Sequence, residues 1–212
     1  MRLLILGHGR MGKLVESLAP EYDATIAGIV DDHSGDIADA DVAIDFTLGE
    51  AVPKNLPRLA ERKINVVIGT TGWQAHESAM RQVVRDAGIG VLAASNFSLG
   101  VNLLASLVRK AAQALGPEWD IEIVEMHHNK KVDAPSGTAL LLGKAAAAGR
   151  NIELEAHSAR GRDGHTGARK PGDIGFAALR GGNVIGDHTV MFAGTSERIE
   201  LTHRAEDRSL FA

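Results

Sequence analysis

The sequence has no cysteine, which excludes disulfide bonds, thiolate metal ligands and a cysteine nucleophile. It also lacks any stretch close to the roughly 20 apolar residues of a membrane-spanning helix, and the apolar run at residues 3–6 is too short for a signal peptide. Acidic residues slightly outnumber basic ones, with 27 Asp and Glu against 23 Lys and Arg. Such a chain has no general attraction to nucleic acid or anionic lipid. These absences favour a cytoplasmic protein that acts on small molecules.

The first half of the chain has the pattern of an α/β domain. Short aliphatic runs alternate with helix-length segments, which predicts a Rossmann-like, doubly wound parallel sheet. The predicted strands are 3–6, 25–30, 42–46, 65–68 and 90–93, and the predicted helices are 12–18, 50–62 and 73–87. The acidic link at 31–41 is too short for a full helix.

The pattern changes after residue 97 to that of an α+β domain with an antiparallel or mixed sheet. Helices are predicted at 99–115 and 137–148, and strands at 120–126, 174–179, 183–192 and 198–203. Gly181-Gly182 is the expected hairpin turn. We therefore predict a dinucleotide-binding domain at 1–97, to which 206–212 returns, and a substrate-binding and oligomerisation domain at 98–205.

The first predicted strand ends in a glycine turn, Gly7-His8-Gly9-Arg10-Met11-Gly12, that opens a helix. This matches the dinucleotide fingerprint G-x-G-x-x-G. In that motif the glycines allow a tight turn, close approach of the pyrophosphate and close helix packing, and the helix N-terminus meets the phosphate charge. An ordinary strand-to-helix turn is the alternative, but the full context of the motif is present.

Two acids, Asp31 and Asp32, follow the second predicted strand. A carboxylate there accepts hydrogen bonds from the adenosine ribose and repels a 2′-phosphate. The sequence therefore predicts NADH as the preferred cofactor and NADPH as the weaker one. A solvated acidic turn is the alternative.

Residues 125–138 concentrate groups that transfer protons and bind anions. The segment holds His127, His128, Lys130 and Lys131 directly after a predicted strand. Imidazole donates a proton near neutral pH, and lysine donates a proton or pairs with a carboxylate. The amides of residues 136–138 open a helix and would bind an anion. Adjacent histidines also serve as metal ligands, but no third ligand has a recognisable spacing, so we predict no metal site.

The loop at 157–170 is basic, with Arg160, Arg162, Arg169 and Lys170. We expect a mobile, solvated loop, and a grip on substrate carboxylates or on a partner's surface is the alternative. Nucleic-acid binding is disfavoured because the chain is acidic and the loop has no neighbouring aromatic residues.

The segment Glu-x-His-His-x-x-Lys-x-Asp-Ala-Pro-Ser-Gly-Thr-Ala at 125–139 resembles the signature of the dihydrodipicolinate reductase family. Further pieces match in the family's order, at 9–12, 45–47, 69–72, 95–102, 173–176, 180–182 and 186–189. The resemblance implies NADH- or NADPH-dependent reduction of 4-hydroxy-tetrahydrodipicolinate to tetrahydrodipicolinate, in diaminopimelate and lysine biosynthesis. It also implies a homotetramer joined through the sheet of the substrate domain.

The resemblance implies roles for individual residues. His127 corresponds to the catalytic proton donor and Lys131 to a second donor. The positions that bind the dicarboxylate substrate correspond to His128, Gly137 and Thr138. The positions that bind the cofactor correspond to Gly7, Gly9, Arg10, Met11, Asp31, Gly69, Thr70, Thr71, Ala94, Ser95, Asn96 and Phe97.

The sequence departs from the family in three places. The glycine turn is one residue shorter, which could shift the assignments of Gly7 and His8 by one position, and the segment after Asp32 is compact. Family members also continue past position 212 with a helix that packs on the nucleotide domain, so we expect exposed apolar surface there. Two other functions stay open: a related amino-acid or semialdehyde dehydrogenase, and a dinucleotide-binding module without turnover.

Overall fold

The computed structural model describes residues 1–31 and 36–212, so Asp32 lies outside the described residues. The chain divides into two compact units. The first unit contains residues 1–97 and 211–212, and the second contains residues 98–210. Within the described part of the chain, no helix combines the length and the apolar composition needed to cross a bilayer.

The first unit is built on a parallel sheet with the strand order β2-β1-β3-β4-β5. The strands are β1 (Arg2–Leu6), β2 (Thr25–Val30), β3 (Val42–Asp45), β4 (Asn65–Ile68) and β5 (Val91–Ala93), and the helices are α1 (Arg10–Leu18), α2 (Val52–Glu61) and α3 (Glu77–Ala87). This confirms the predicted Rossmann-like fold. The single helix predicted at 73–87 is instead a short 3-10 turn, Gln74–His76, followed by α3.

The strands of the first unit are aliphatic because both sheet faces bury side chains. On one face, Leu4 packs in a cluster with Leu56 of α2 and Met80 of α3. On the other face, Leu3 packs with Ala19 and Ala24. Since all strands are parallel, the turns that follow them lie along one edge of the sheet, and ligands of such sheets bind at that edge.

The second unit contains a mixed sheet with the order β10-β9-β6-β8-β7. Its elements are α4 (Leu99–Ala114), β6 (Asp120–His127), α5 (Gly137–Arg150), β7 (Ser158–Ala159), β8 (Ile174–Arg180), β9 (Gly186–Ala193) and β10 (Arg198–Ala205). β6 alternates strictly between buried and half-buried residues. Its buried residues Ile121 and Ile123 pack in a cluster with Val108 of α4 and Leu142 of α5, whereas the other face of the strand stays half-buried.

The hairpin predicted at Gly181-Gly182 is wrong. β6 lies between β8 and β9, so these two strands do not pair with each other. The two glycines cross the end of β6: the amide of Gly181 donates to the carbonyl of His127 at 2.9 Å, and the carbonyl of Gly182 accepts from the amide of Asn129 at 3.2 Å. The apolar alternation of β6 suits a central strand. Because β6 lies between β8 and β9, these two strands cannot form the predicted hairpin.

Candidate active site

The glycine turn after β1 has the geometry of a phosphate cradle. Gly7 has a positive φ of 86°, and a Cβ on it would lie 2.7 Å from the carbonyl oxygen of Phe46. A Cβ on Gly12 would collide with the carbonyl oxygen of Gly7, whereas a Cβ on Gly9 would meet no atom within 4 Å. Gly7 and Gly12 therefore pack closely against the backbone, so a side chain would not fit at either position. Gly9 faces open space, where a dinucleotide would approach.

Asp31 is tied to the glycine turn by the backbone. The amide of His8 donates to Oδ1 of Asp31 at 2.8 Å, and the imidazole Nε2 of His8 lies 2.7 Å from Oε2 of Glu16 on α1. This places Asp31, at the end of β2, beside the turn. Arg10 and Met11, both predicted to bind the cofactor, form the first turn of α1.

The remaining predicted cofactor residues follow β4 and β5. Gly69 comes directly after β4, where a Cβ would overlap the ring of Phe46. A concavity of the first unit is lined by Thr70, Ala94 and Ser95, among others. Thr71 follows β4, and Asn96 and Phe97 follow β5. The fold thus gathers the predicted cofactor residues along one edge of the sheet.

Asp45, at the end of β3, is a buried carboxylate to which no role is assigned from the sequence. Its Oδ1 accepts from the amide and the hydroxyl of Thr47, at 2.9 and 2.6 Å, and from the hydroxyl of Thr70 at 2.8 Å. The side-chain hydroxyl of Thr70 is therefore used to join the turns after β3 and β4.

His127 and Lys131 are each paired with a carboxylate in the second unit. His127 ends β6, is 8% exposed, and has its Nδ1 2.5 Å from Oε2 of Glu125. Nζ of Lys131 donates to Oδ1 of Asp133 at 2.7 Å. The two predicted donors are four positions apart, His127 at the end of β6 and Lys131 in the segment that joins β6 to α5.

The same segment leads into the N-terminus of α5. Ser136 is the N-cap, and its hydroxyl accepts from the amide of Ala139 at 3.1 Å. Gly137 and Thr138 form the first turn of α5, where the helix dipole favours an anion. His128 is half-buried at the start of the segment. The predicted substrate residues therefore lie at both ends of one short connection.

Burial and neighbouring charges shift the pKa values of these groups. Burial, together with the charges of Lys131 and Arg180, lowers the pKa of His127 despite the opposing effect of Glu125. Burial also raises the pKa of Glu125, but hydrogen bonds from Arg180 and His127 more than offset this and hold it below its usual value. The imidazole of His127 is therefore mostly neutral at neutral pH.

His188 on β9 is a second buried imidazole beside His127. The two ring centroids are 5.1 Å apart at 75° between planes, and Nε2 of His188 lies 3.0 Å from the hydroxyl of Ser136. Burial and the neighbouring charge of His127 lower the pKa of His188 to about 4. His188 is thus a neutral packing partner of His127.

Three residues of this site carry no individual role in the sequence analysis: Glu125, Arg180 and His188. One signal was available, because strand alternation places Glu125 on the same face as His127. The other two reach the site through pairing, since Arg180 of β8 lies opposite His127 and His188 of β9 lies opposite Glu125. Sequence alone does not specify those pairings.

The basic loop is anchored to β6. Both Arg162 and Arg169 donate to Oε1 of Glu122, at 2.8 and 3.0 Å, and Arg169 also donates to Asp120 at 2.9 Å. Residues Ser158–Ala159 form β7, a short strand parallel to β8. A freely solvated loop is therefore wrong for Arg162 and Arg169, since each has a carboxylate partner. Across the described residues, no group of three or more His, Asp or Glu is arranged to hold a metal ion.

Family models match both units of the chain. The model described as dihydrodipicolinate reductase, N-terminus, matches residues 1–97, and the model of the C-terminus matches residues 100–212. This chain belongs to the dihydrodipicolinate reductase family. A 4-hydroxy-tetrahydrodipicolinate reductase of Rhodopseudomonas palustris strain TIE-1 is 62% identical over 82% of this chain and 64% of its own length. One from strain BisA53 is 51% identical over 100% of this chain and 88% of its own length.

Solved structures support the fold. A dipicolinate-bound dihydrodipicolinate reductase from Paenisporosarcina sp. TG-14 has a TM-score of 0.77 at 24% identity, covering 100% of this chain and 90% of the other. Aspartate semialdehyde dehydrogenase II from Vibrio cholerae has a TM-score of 0.54 at 11% identity, covering 92% of this chain and 75% of the other. Enzymes with different names therefore share this architecture. The assignment of this chain to one family rests on the family models and on the similar curated sequences.

Proposed function

We propose that this protein is a cytoplasmic enzyme that reduces 4-hydroxy-tetrahydrodipicolinate to tetrahydrodipicolinate with NADH or NADPH, in diaminopimelate and lysine biosynthesis. Membership of the family and the names of the close relatives support the reaction. The observation that carries it is the segment from β6 to α5, which combines His127, Lys131 and a helix N-terminus. A related dehydrogenase would share the glycine turn but has no need of this combination.

The first unit fits a nicotinamide cofactor. Gly9 leaves open space at the phosphate cradle, and Asp31 lies beside the turn, where it would accept from the adenosine ribose. When bound, the cofactor supplies the hydride. An exposed carboxylate at Asp31 repels a 2′-phosphate, so we propose that NADH is preferred over NADPH.

The second unit fits a dicarboxylate substrate. We propose that the amides of Gly137 and Thr138 at the start of α5 bind one carboxylate, and that His128 and Lys131 bind the substrate from the preceding segment. The Paenisporosarcina enzyme, in its solved structure, is bound to dipicolinate, a cyclic dicarboxylate. The substrate class of the family and the chemistry of these residues agree.

The proton of the reaction comes from His127 or Lys131. The reduction takes up one hydride and one proton and releases water. Because the pKa of His127 is lowered, few molecules carry a protonated His127 at neutral pH. If His127 is the donor, kcat falls as the pH rises through this lowered pKa. A rate that stays level over that range assigns the proton to Lys131.

We also propose that the protein is a homotetramer joined through the sheet in the second unit, at the half-buried face opposite the one that packs with α4 and α5. That face carries half-buried or exposed apolar side chains next to each other, since Val124 pairs with Ala177 and Met126 with Leu179, which is 50% exposed. A contiguous apolar face of this kind is typical of an interface. Light scattering of the purified protein measures the mass, and a monomer would contradict the proposal.

The deciding experiment measures turnover of 4-hydroxy-tetrahydrodipicolinate, which the preceding synthase generates in place. Turnover is monitored as the oxidation of NADH and, separately, of NADPH. We expect turnover with both and faster turnover with NADH. Tight NADH binding without turnover by the wild-type protein would favour the binding module instead. Oxidation of NADH with aspartate semialdehyde or an oxo acid, but not with this substrate, would favour a related dehydrogenase.

A further inference from the structure

Glu125 is a buried carboxylate at the centre of the proposed catalytic segment. It is 1% exposed on β6, two residues before His127, so that both side chains point to the same face. A buried carboxylate is costly unless donors surround it. The donors that contact Glu125 therefore indicate the role of its carboxylate.

Four donors occupy the two oxygens of Glu125. Oε2 accepts from Nδ1 of His127 at 2.5 Å and from Nη1 of Arg180 at 2.9 Å. Oε1 accepts from Nη2 of Arg180 at 2.9 Å and from the backbone amide of Ser136 at 3.1 Å. We call Glu125, His127, Ser136 and Arg180 the Glu125 cluster.

This arrangement determines which nitrogen of His127 carries the proton. A carboxylate with this many donors stays ionised, and an ionised carboxylate only accepts hydrogen bonds. Nδ1 of His127 is therefore the protonated nitrogen of the neutral ring, and Nε2 is left to exchange a proton with a ligand. Gly186 makes room at this nitrogen, because a Cβ there would lie 3.0 Å from Nε2.

The Glu125 cluster also connects the other groups of the segment. The amide of Ser136 is at the N-terminus of α5, so Glu125 holds the entry to the helix whose first turn contains Gly137 and Thr138. Arg180 donates to the carbonyl of Asp133 at 2.7 Å, and the side chain of Asp133 accepts from Lys131. The ion pair of Glu125 and Arg180 therefore contacts His127, the residue that pairs with Lys131, and the N-terminus of α5.

The positive charge of Arg180 explains how the carboxylate of Glu125 can lie beside a site for an anionic ligand. A bare carboxylate beside a dicarboxylate ligand would repel it. The paired guanidinium of Arg180 cancels the charge of Glu125 while leaving its oxygens as acceptors. The cluster can then orient His127 without opposing an anionic substrate.

We infer that Glu125 is a positioning residue: its carboxylate, neutralised by Arg180, fixes His127 with Nε2 directed to the substrate and anchors the N-terminus of α5 through Ser136. This rests on the proposed function, since it gives Glu125 a part in that reaction. A purely structural carboxylate would stabilise the fold but would not select the protonated nitrogen of His127.

The first test needs no variant. The ¹⁵N chemical shifts of His127, measured on the wild-type protein at a pH above neutrality, distinguish a protonated Nδ1 from a protonated Nε2. We expect a protonated Nδ1. A neutral ring with its proton on Nε2 overturns the inference, whatever reaction the protein catalyses.

The second test compares Glu125→Gln with Glu122→Gln. Both residues lie on β6 and both pair with arginine side chains, but Glu122 pairs with Arg162 and Arg169, which lie outside the Glu125 cluster. Glutamine also donates, so it permits the other protonated form of His127. For Glu125→Gln we expect kcat to fall by about 10- to 100-fold, as for partners that orient a reactive group, with an unchanged KM for NADH. For Glu122→Gln we expect an unchanged kcat.

The pH profile separates positioning from stability. The charge of Glu125 raises the pKa of His127, so in Glu125→Gln the limb of the rate profile that follows His127 moves to lower pH. A folded Glu125→Gln protein with wild-type kcat and an unmoved profile overturns the inference. If that variant does not fold, the wild-type ¹⁵N measurement decides. Absence of turnover by the wild-type protein would instead reject the proposed function, and the ¹⁵N measurement would still test the role of Glu125.

Discussion

Asp31 in the first unit and Glu125 in the second are both carboxylates at a strand beside a predicted ligand site, but their surroundings differ. Asp31 is exposed, and its carboxylate accepts a hydrogen bond from the backbone amide of His8. Glu125 is buried, with both oxygens shared among His127, Arg180 and Ser136. An exposed carboxylate is available to a ligand, whereas a fully bonded buried one acts on the protein itself.

The two units accordingly present their chemistry in different ways. In the first unit the predicted phosphate site is backbone made accessible by glycine, as at Gly9. In the second unit the predicted ligand groups are side chains whose orientation depends on other side chains, as His127 depends on Glu125. Substitutions should therefore have local effects in the first unit and wider effects in the second.

The largest effect is expected from Glu125→Ala on stability. Removing this carboxylate leaves the partly buried Arg180 without its ion-pair partner, and breaking a buried pair in this way costs up to about 3–5 kcal/mol. Asp31→Ala, the matched change in the first unit, should cost less than about 1 kcal/mol because that residue is exposed. Urea unfolding of both variants measures the difference, and equal losses of stability would remove the contrast between the two carboxylates.

The next effect concerns His188 and acid. In the folded protein its pKa is lowered to about 4, whereas an unfolded histidine has a pKa near 6.5. Between these values the unfolded chain binds more protons, so the free energy of unfolding falls as the pH falls from 6.5 to 4, by about 3 kcal/mol from this residue. Urea unfolding at several pH values measures the slope.

His188→Gln provides the control for this pH dependence. Glutamine keeps a hydrogen-bonding side chain near Ser136 but does not titrate. The variant should lose the part of the slope between pH 6.5 and 4 that His188 contributes, about 3 kcal/mol over this range. An unchanged slope would show that other groups cause it and that His188 titrates normally in the folded protein.

The sequence predicted the fold better than it predicted the side-chain network. Aliphatic runs and glycine turns are local signals, so the parallel sheet and the position of the glycine turn after β1 could be read directly. Elements of the second unit were also found, but their pairing was not: the hairpin at Gly181-Gly182 was predicted where β6 separates β8 from β9.

The same limit applies to the candidate site. Residues within one segment, such as His127 and Lys131, could be proposed from their chemistry and from the family resemblance. Arg180 reaches that segment only because β8 lies parallel to β6, which brings together residues 55 positions apart in the chain. Long-range pairing of this kind depends on how whole elements pack, and no local pattern encodes it.

A third prediction compares adjacent lysines in the second unit. Lys131→Ala should lower kcat by on the order of 10²-fold if general-acid help of ordinary size is lost, because Nζ of Lys131 is held at the segment by Asp133. Lys130→Ala is the matched control, since Lys130 is exposed, and it should leave kcat unchanged. Steady-state turnover with the synthase-generated substrate measures both. Equal losses in the two variants would point to general disruption of the segment.

The smallest effect is expected in the first unit and should be confined to the cofactor. Asp31→Ser removes the carboxylate that would repel a 2′-phosphate, and a charge pair at 4 Å near a protein surface is worth at least about 1 kcal/mol, or about fivefold. The ratio of kcat/KM for NADPH to that for NADH should therefore rise by at least that factor, while kcat with NADH stays close to wild type. Asp36→Ser, in the same acidic link, is the control and should leave the ratio unchanged. If the Asp31 variant instead lost turnover with both cofactors, Asp31 would resemble Glu125, with an effect on the whole site, and the contrast between the two units would fail.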